Sequence, residues 1–271
     1  MEYLTLNNGV TMPVLGYGTY QIPPRLTEKS VSQAIEAGYR SIDTAQNYGN
    51  ERGVGLAVEK SGVPRVQFFI TTKTQTSGYA STVRGINRSL EELRMNYVDL
   101  LLIHWPNGDD AETWRAVEEA FLSGKARAVV LSNFNSRQFI KIAERFRTPP
   151  AVDQIETHIL WQQEKMHSFL ESRHCVHDSW SPFADGMGDT LHNQTILSIG
   201  AAYGKSAAQV ILRFLIQCGI AVIPRSKDPR HMRENLDVFD YTLSEGEMQI
   251  IRAMDQSRSY CNWPASMQEE A

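Results

Sequence analysis

The strongest constraint on the fold is an alternation between short apolar runs and longer amphipathic stretches that extends over most of the sequence. The apolar runs predict eight strands, at residues 14–18, 41–43, 68–72, 98–103, 126–131, 152–155, 175–179 and 220–223. Helical periodicity lies between them, at residues 27–37, 79–93, 111–122, 136–145 and 206–217, and the charged residues 164–173 predict a sixth, solvent-exposed helix face. Because these runs are apolar enough for burial on both faces, they predict parallel strands joined by crossover helices.

Two parallel architectures fit this alternation, a closed (β/α)8 barrel and an open doubly wound sheet. The open sheet usually carries G-x-G-x-x-G after its first strand, where a dinucleotide binds. The segment that starts at Gly16 has only the first two glycines of that pattern. We therefore expect a single α/β domain, residues 1–271, folded as a (β/α)8 TIM barrel. The turn sequence Asn7-Asn8-Gly9 predicts a short hairpin before the barrel.

The composition restricts the partners and the compartment. Lys and Arg total 27 against 31 Asp and Glu, and this net charge of -4 does not suit a surface that neutralises nucleic-acid phosphates. The three cysteines lie far apart, which argues against a disulfide framework and fits a reducing compartment. We find neither a signal-peptide pattern nor a run of roughly 20 apolar residues that could span a membrane. We therefore predict a cytoplasmic monomer with no nucleic-acid or membrane partner.

In a parallel barrel, functional side chains lie at the carboxyl ends of the strands. Polar or aromatic residues follow seven successive runs, namely Asp43, Lys73, His104, Ser132 with Asn133, Gln154, Trp180, and Arg225-Ser226-Lys227. These residues are far apart in sequence, but the barrel would bring them to one rim. The sequence therefore predicts a functional site there.

Asp43, Lys73 and His104, with Tyr48 shortly after the first of them, form a chemically coherent set. A phenol has a pKa near ~10 and donates its proton poorly, but an adjacent ammonium such as that of Lys73 lowers this pKa. Asp43 can hold the ammonium, and His104 can hydrogen-bond a substrate oxygen. Taken singly, each residue also fits an ordinary role as a turn cap, a solvated lysine or a core histidine. Together they predict proton delivery to a developing alkoxide.

Longer motifs surround these residues. They are GYRSIDTAQNYGNE at 38–51, ITTK at 70–73, YVDLLLIHWP at 97–106, GKARA at 124–128, SNF at 132–134, DQIE at 153–156, WSP at 180–182 and IPRS at 223–226. In this order, and over essentially the whole chain, they resemble the signature segments of the aldo-keto reductase superfamily. The chain looks like the compact microbial type of this superfamily and is similar to diketogluconate and aldehyde reductases.

This resemblance implies an oxidoreductase that transfers hydride reversibly between a nicotinamide cofactor and a small carbonyl substrate. It implies that Tyr48 is the general acid/base and that Lys73 lowers its pKa. Asp43 would pair with Lys73, and His104 would orient and polarise the carbonyl.

The resemblance also implies where the cofactor binds. The residues expected to contact it are Ser132, Asn133, Gln154, Trp180, Ser181, Phe183, Arg225, Ser226, Lys227, His231, Glu234 and Asn235. Arg225, Ser226 and Lys227 lie in the segment that usually binds the adenosine 2'-phosphate in this family. His231 stands where NADPH-preferring members often have Arg, and an imidazole offers no guanidinium fork. We expect NADPH as the preferred cofactor and NADH as a weaker alternative.

The expected substrate pocket is mainly apolar. Its candidate wall residues are Tyr20, Gln21, Trp105, Phe134, Trp161 and Trp263. In this family C-terminal loops border the pocket, which makes the segment 260–264 a further candidate. No metal site is predicted, because His174 and His177 would face opposite sides of an extended strand.

Two other functions remain open at this point. A cofactor-binding regulatory barrel would not need the complete set of Asp43, Tyr48, Lys73 and His104. A barrel enzyme of unrelated chemistry, such as one acting on sugar phosphates, would not need Ser132, Asn133 and Gln154, which the resemblance implies hydrogen-bond the nicotinamide carboxamide.

Overall fold

The computed structural model describes residues 1–264 and residue 268. It begins with an antiparallel hairpin of β1 (Tyr3–Thr5) and β2 (Thr11–Pro13), in which Leu4 lies opposite Met12. The turn between them places Gly9 at a φ of 83°, a conformation that glycine adopts without steric cost. The predicted hairpin is confirmed.

A parallel sheet follows, and in the described residues it has eight strands. They are β3 (Tyr17–Gly18), β4 (Ser41–Asp43), β5 (Phe69–Thr74), β6 (Val98–Ile103), β7 (Ala126–Ser132), β8 (Val152–Glu156), β9 (Val176–Trp180) and β10 (Ala221–Val222). They are hydrogen-bonded to one another in sequence order.

The sheet closes between its first and last strands. Gly16 N donates to Val222 O at 2.9 Å, and Val222 N donates to Val14 O at 2.9 Å. The approach is close enough that a Cβ atom on Gly18 would lie 2.8 Å from Ile223 O, so this position requires glycine. The chain is therefore a (β/α)8 barrel, and the open-sheet alternative is excluded.

The described part of the chain contains ten α-helices. They are α1 (Pro24–Ala37), α2 (Glu51–Lys60), α3 (Tyr79–Leu93), α4 (Asp110–Leu122), α5 (Ser136–Ala143), α6 (Glu164–Ser172), α7 (Gln194–Tyr203), α8 (Ala207–Gln217), α9 (Pro229–Leu236) and α10 (Glu245–Arg252). None of these helices is long and apolar enough to cross a membrane. Asn135, Ser206 and Ser244 form capping boxes that fix where α5, α8 and α10 begin.

The six predicted helices are present, with ends shifted by up to three residues. Helices α2, α7, α9 and α10 were not predicted. In α2, Gly53 and Gly55 lower the helical propensity. A Cβ atom on Gly55 would lie 2.2 Å from Leu93 O, so tertiary packing against the end of α3 requires this glycine inside the helix.

The barrel interior changes character along its axis. Near the amino ends of the strands it is filled by apolar side chains such as Phe69, Leu100 and Val130, and the hairpin residues Leu6 and Met12 pack against them. A second apolar core lies between the strands and the helices. Closer to the carboxyl ends, the buried interior side chains are polar, and these form the site described below.

Candidate active site

A cavity of about 700 Å³ opens at the carboxyl ends of the barrel strands. The sequence-predicted residues that line it are Tyr20, Gln21, Asp43, Tyr48, His104, Trp105, Ser132, Asn133, Gln154, Trp180, Ser181, Phe183 and Arg225. The barrel thus brings most of the predicted rim residues to one place.

Lys73 lies beneath this cavity and is 1% exposed. Its ammonium donates a hydrogen bond to Asp43 Oδ1, and it forms a second bond of 3.1 Å to Thr44 O. The same Nζ atom lies 3.5 Å from the Tyr48 hydroxyl. The three side chains come from β5, from β4 and from the short 3-10 turn Gln46–Tyr48 that follows β4.

The turn that carries Tyr48 is held from both sides. Gln46 Oε1 accepts a hydrogen bond from Gln75 N at 2.8 Å, and Gln46 Nε2 donates to Ser89 Oγ at 3.0 Å. Just after the turn, Asn50 Nδ2 donates to Thr19 O at 2.9 Å. These bonds tie the turn to the neighbouring strands and to α3, so the position of the phenol is fixed.

Tyr48 is protonated at neutral pH. Burial, the Asp43 carboxylate and Tyr20 raise the pKa of its phenol well above 10. The net direction is upward, although Lys73 was expected to lower this pKa, because burial is the largest influence on the phenol. The Asp43 carboxylate, which pairs with the ammonium, adds to the rise by opposing ionisation of the phenol.

His104 is uncharged in the same site. Burial and the Lys73 ammonium lower the pKa of this imidazole to about 2. Its ring lies 5.7 Å from that of Tyr48, centroid to centroid, and its Nδ1 atom is buried without a hydrogen-bond partner in the described residues. Tyr48 and His104 therefore present two neutral hydrogen-bonding groups side by side.

The polar rim of β7 and β8 forms one connected network with Trp180. Asn133 has a left-handed backbone with a φ of 66°, and its Nδ2 donates to His104 O at 2.9 Å. Trp180 Nε1 donates to Asn133 Oδ1 at 2.9 Å, which fixes the indole ring beside the cavity. Ser132 Oγ donates to Gln154 O at 2.8 Å. This network fixes the flat ring and the amide groups before any ligand binds.

The residues predicted for the adenosine end lie after β10 and on α9. Arg225 lines the cavity and donates to Asp185 Oδ1 at 3.3 Å. Ser226 is held through its carbonyl, which accepts a hydrogen bond from Tyr17 at 2.6 Å. The remaining predicted residues do not line the cavity. Lys227 and His231 are exposed, Glu234 is half-buried and Asn235 is buried.

Three predicted pocket residues lie behind the cavity wall. Phe134 is fully buried in the hydrophobic core, because its side chain turns into the layer between strands and helices. Trp161 and Trp263 are also buried, and their ring centroids lie 5.2 Å apart. Trp263 lies 6.4 Å from the ring of Trp180, so it supports that ring from behind.

Sequence reasoning missed several residues that do line the cavity. They include Asn47, Asp185, Met187 and Leu191. Tyr260, Cys261 and Asn262 also line it, as expected for a C-terminal segment that borders the pocket. The only available signal for Asn47 was its place beside Tyr48, and the loop that carries Met187 has no periodic pattern.

Glu156, at the end of β8, anchors this C-terminal segment. The fully buried carboxylate accepts hydrogen bonds from Ser259 Oγ at 2.6 Å, from Tyr260 N at 2.8 Å and from Cys261 N at 3.0 Å. Burial acts to raise the pKa of Glu156, but these bonds and His158 outweigh it and lower the pKa. The ionised carboxylate therefore fixes one wall of the cavity.

The residues present fit a nicotinamide cofactor. A fixed indole face, the amide side chains of Asn133 and Gln154, and the guanidinium of Arg225 line a single cavity. Within residues 1–264 and 268, the structure has no group of three or more His, Cys, Asp or Glu side chains that could hold a metal ion.

This chain is similar to several known proteins. The family model of the aldo/keto reductase family matches residues 14–256. The glyoxal reductase of Bacillus subtilis (strain 168) is 38% identical over 259 residues, which cover 94% of this chain and 93% of that protein. The solved structure of an aldo/keto reductase from Brucella melitensis is 39% identical with a TM-score of 0.90, covering 94% of this chain and 99% of that one. The structure of a Bombyx mori aldo-keto reductase in complex with NADP is 30% identical with a TM-score of 0.90, covering 96% and 95%.

Proposed function

The chain belongs to the aldo/keto reductase family, and from this premise we propose that it reduces the carbonyl group of small aldehydes or ketones to an alcohol with NADPH. The observation that carries this proposal is the arrangement around Tyr48. A protonated phenol lies 3.5 Å from a buried ammonium and beside a neutral imidazole, at the bottom of a cavity.

We assign the proton transfer to Tyr48. The carbonyl oxygen of the substrate accepts hydrogen bonds from Tyr48 and His104, which polarise the carbonyl and orient it. A bound nicotinamide cofactor supplies the hydride that adds to the carbonyl carbon. As negative charge develops on the oxygen, the Tyr48 proton moves to it, and the bond between phenol oxygen and proton breaks.

Lys73 acts on the phenolate that this transfer leaves. Its ammonium already lies near the hydroxyl, so no reorganisation is needed when the negative charge appears. Asp43 keeps the ammonium charged and in place. His104 remains neutral, so it does not compete with Tyr48 as an acid.

Trp180, Ser132, Asn133 and Gln154 would hold the nicotinamide end of the cofactor. The indole offers a flat surface for stacking, and the amides and the hydroxyl suit the nicotinamide carboxamide. Ser181 and Phe183 would flank this end, since they line the same cavity.

Arg225, Ser226 and Lys227 would bind the 2'-phosphate that distinguishes NADPH from NADH, through charge-assisted hydrogen bonds. His231, Glu234 and Asn235 on α9 would lie beside the adenosine. Because His231 supplies no guanidinium, we propose that NADPH is only moderately preferred. The Bombyx mori relative binds NADP, which supports this choice of cofactor.

The two alternative functions have no specific observation in their favour. The set around Tyr48 is complete, whereas a purely regulatory barrel would not need it. The glyoxal reductase relative acts on a small carbonyl by its name, which supports the proposed substrate class. We further propose that the chain acts as one catalytic domain and as a cytoplasmic monomer. Its free cysteines, Cys175, Cys218 and Cys261, support a reducing compartment.

The test is to follow NADPH and NADH oxidation by the purified protein with a panel of aldehydes, α-dicarbonyls, keto-sugars and aromatic ketones. We expect carbonyl-dependent oxidation of NADPH with at least one class of substrate, and slower oxidation of NADH. A protein that binds neither cofactor, or that oxidises NADPH with no carbonyl of the panel, would contradict the proposal.

A further inference from the structure

Asp178, on β9, is a buried carboxyl group that the proposed proton transfer does not use. It is 2% exposed and lies beside Gln154 in the register of β8 and β9. Asp178 Oδ2 accepts a hydrogen bond from Gln154 Nε2 at 2.7 Å. Its other oxygen, Oδ1, is buried and has no hydrogen-bond partner in the described residues. A carboxyl group in this environment is costly, so its contact with Gln154 needs an explanation.

The amide of Gln154 is held in one orientation by two carboxyl groups. Its nitrogen carries two hydrogens. One is donated to Asp178 Oδ2 and the other to Asp43 Oδ2 at 3.1 Å. In the flipped orientation, the Gln154 carbonyl oxygen would face both acceptors and lose both bonds. The two carboxyl groups therefore leave Oε1 as the atom of this amide that can bind a ligand.

Asp43 alone is the weaker of the two constraints. It also accepts the hydrogen bond from the Lys73 ammonium, and its bond to Gln154 is the longer one. Asp178 accepts no hydrogen bond from any other described side chain, so it does not share its interaction with Gln154 with a second donor side chain. The orientation of the amide thus depends mainly on Asp178.

We propose that Asp178 is a positioning residue of the cofactor site, which holds Gln154 so that its carbonyl oxygen accepts a hydrogen bond from the NH2 group of a nicotinamide carboxamide. This inference rests on the proposed function, because it names the ligand of the same cavity. Gln154 lines that cavity, and Asp178 lies two residues before Trp180 on the same strand.

The charge of Asp178 adds a second consequence. The charged groups that face it are Asp43 on β4 and Lys73 on β5, while β10 places Ala221 beside it. Lys73 already compensates Asp43, so an ionised Asp178 carries the uncompensated charge of this group. That charge would favour the cationic ring of the oxidised cofactor over the neutral ring of the reduced one. Burial and Asp43 raise the pKa of Asp178 to about 7, so the charge appears near neutral pH.

The first experiment measures dissociation constants of NADPH and NADP+ by quenching of tryptophan fluorescence in Asp178→Ala, Asp178→Asn and wild type. Asp178→Ala should weaken both cofactors by up to about tenfold, the loss expected for the single neutral hydrogen bond between the Gln154 carbonyl oxygen and the carboxamide. Cofactor affinity should fall more than turnover at saturating cofactor, because the weakened bond is made to the cofactor and not to the Tyr48 hydroxyl. Asp178→Asn retains an acceptor oxygen and should recover part of the affinity.

The matched control is Asp153→Asn. Asp153 is also a fully buried carboxyl group on β8, but as the neighbour of Gln154 it faces the opposite side of the strand. This variant should bind both cofactors like wild type. If Asp178→Ala matches Asp153→Asn in cofactor affinity, the positioning role is wrong.

Two further measurements distinguish positioning of the Gln154 amide by Asp178 from a general structural effect of the substitution. In a Gln154→Leu background, Asp178→Ala should cause no additional loss of affinity, because its effect passes through the amide. In wild type, NADP+ affinity relative to NADPH should increase from about pH 6 to about pH 8, on either side of the Asp178 pKa of about 7, and Asp178→Asn should abolish this increase. Additive losses, or a pH response that Asp178→Asn retains, would overturn the inference. Failure of wild type itself to bind either cofactor would instead reject the proposed function.

Discussion

The ammonium of Lys73 lies 3.5 Å from the hydroxyl of Tyr48, while it donates hydrogen bonds to Asp43 and to the carbonyl oxygen of Thr44. This relationship separates two requirements of an acid catalyst. Burial and Asp43 keep the phenol protonated before the reaction. The ammonium is in place to stabilise the phenolate once the proton has left.

Replacing Lys73 with Met should therefore lower turnover by about 10²-fold or more, the usual contribution of assisted proton transfer. It should also lower the Tm, because a buried carboxylate left without its cation is destabilising by about 3–5 kcal/mol. Steady-state kinetics and thermal unfolding measure the two effects. The double variant Lys73→Met/Asp43→Asn removes both charges and should recover the Tm without recovering turnover. Recovery of turnover in that double variant would show that Lys73 serves folding alone.

Trp180→Ala should weaken NADPH and NADH by a similar factor, because stacking acts on the nicotinamide end that the two cofactors share. The loss should be about two- to tenfold, as expected for the removal of a stacked aromatic contact worth about 0.5–1.5 kcal/mol. Isothermal titration calorimetry measures this directly. Trp180→Phe keeps a flat ring and should bind more tightly than Trp180→Ala. Equal affinity in wild type and Trp180→Ala would mean that the indole is only a packing residue.

The choice between NADPH and NADH tests the residues assigned to the adenosine 2'-phosphate. We expect wild type to prefer NADPH over NADH by about ten- to a hundredfold in kcat/KM, or roughly 1.4–2.7 kcal/mol. Arg225→Ala should lower the ratio of kcat/KM with NADPH to kcat/KM with NADH, or reverse the preference. His231→Arg should raise this ratio by adding a cation next to the 2'-phosphate. Arg252→Ala, which removes an arginine paired with Glu245 on α10, should leave the ratio unchanged. An outright preference for NADH in wild type would contradict the assignment of Arg225, Ser226 and Lys227 to the 2'-phosphate.

How well each site residue could be predicted from sequence depends on its position relative to the end of a strand. Asp43, Tyr48 and His104 could be assigned to the rim from sequence because they follow apolar runs of parallel strands, and such ends converge in any barrel. The match of the family model to residues 14–256 confirms the resemblance that these motifs carry. Lys73 lies one residue before the end of β5 and still reaches the same network from below.

Other features depend on partners that only the tertiary structure brings together. Phe134 lies at the end of β7 like Ser132 and Asn133 but packs into the outer core, and the left-handed backbone of Asn133 that precedes it has no signal in the sequence. The raised pKa of Tyr48 depends first on its burial and then on the Asp43 carboxylate nearby, and both follow from the tertiary structure. Glu156 and Asp178 could not be found, because their hydrogen-bond donors lie at residues 259–261 and at Gln154.

The raised pKa of Asp178 predicts how stability depends on pH. The folded protein retains this proton up to about pH 7, whereas the unfolded carboxyl group loses it near its ordinary value of 3.8. The folded state therefore binds more protons between these two values, and the free energy of unfolding contributed by Asp178 falls as the pH rises through them. Asp178→Asn remains neutral and avoids this fall. Its Tm relative to wild type should thus be higher at about pH 8 than at about pH 5.

The control for this pH effect is Asp228→Asn. Arg230 lowers the pKa of Asp228 to about 2, so this group stays ionised in both states over the same pH window. The Tm difference between Asp228→Asn and wild type should stay constant from about pH 5 to about pH 8. If the Asp178→Asn difference is equally constant, Asp178 does not change its charge there.

The most direct test of the account is the turnover of Tyr48→Phe at saturating NADPH and carbonyl substrate, in protein whose cofactor affinity has been measured. This variant removes only the hydroxyl, so the ring and the cavity remain and cofactor binding should match wild type within about twofold. Tyr203→Phe, which loses a hydroxyl bonded to Glu247 outside the cavity, is the matched control and should turn over normally. We predict that turnover of Tyr48→Phe falls by about 10²- to 10⁴-fold, the contribution of a positioned general acid. Turnover within a few-fold of wild type would contradict the assignment of Tyr48 as the proton donor.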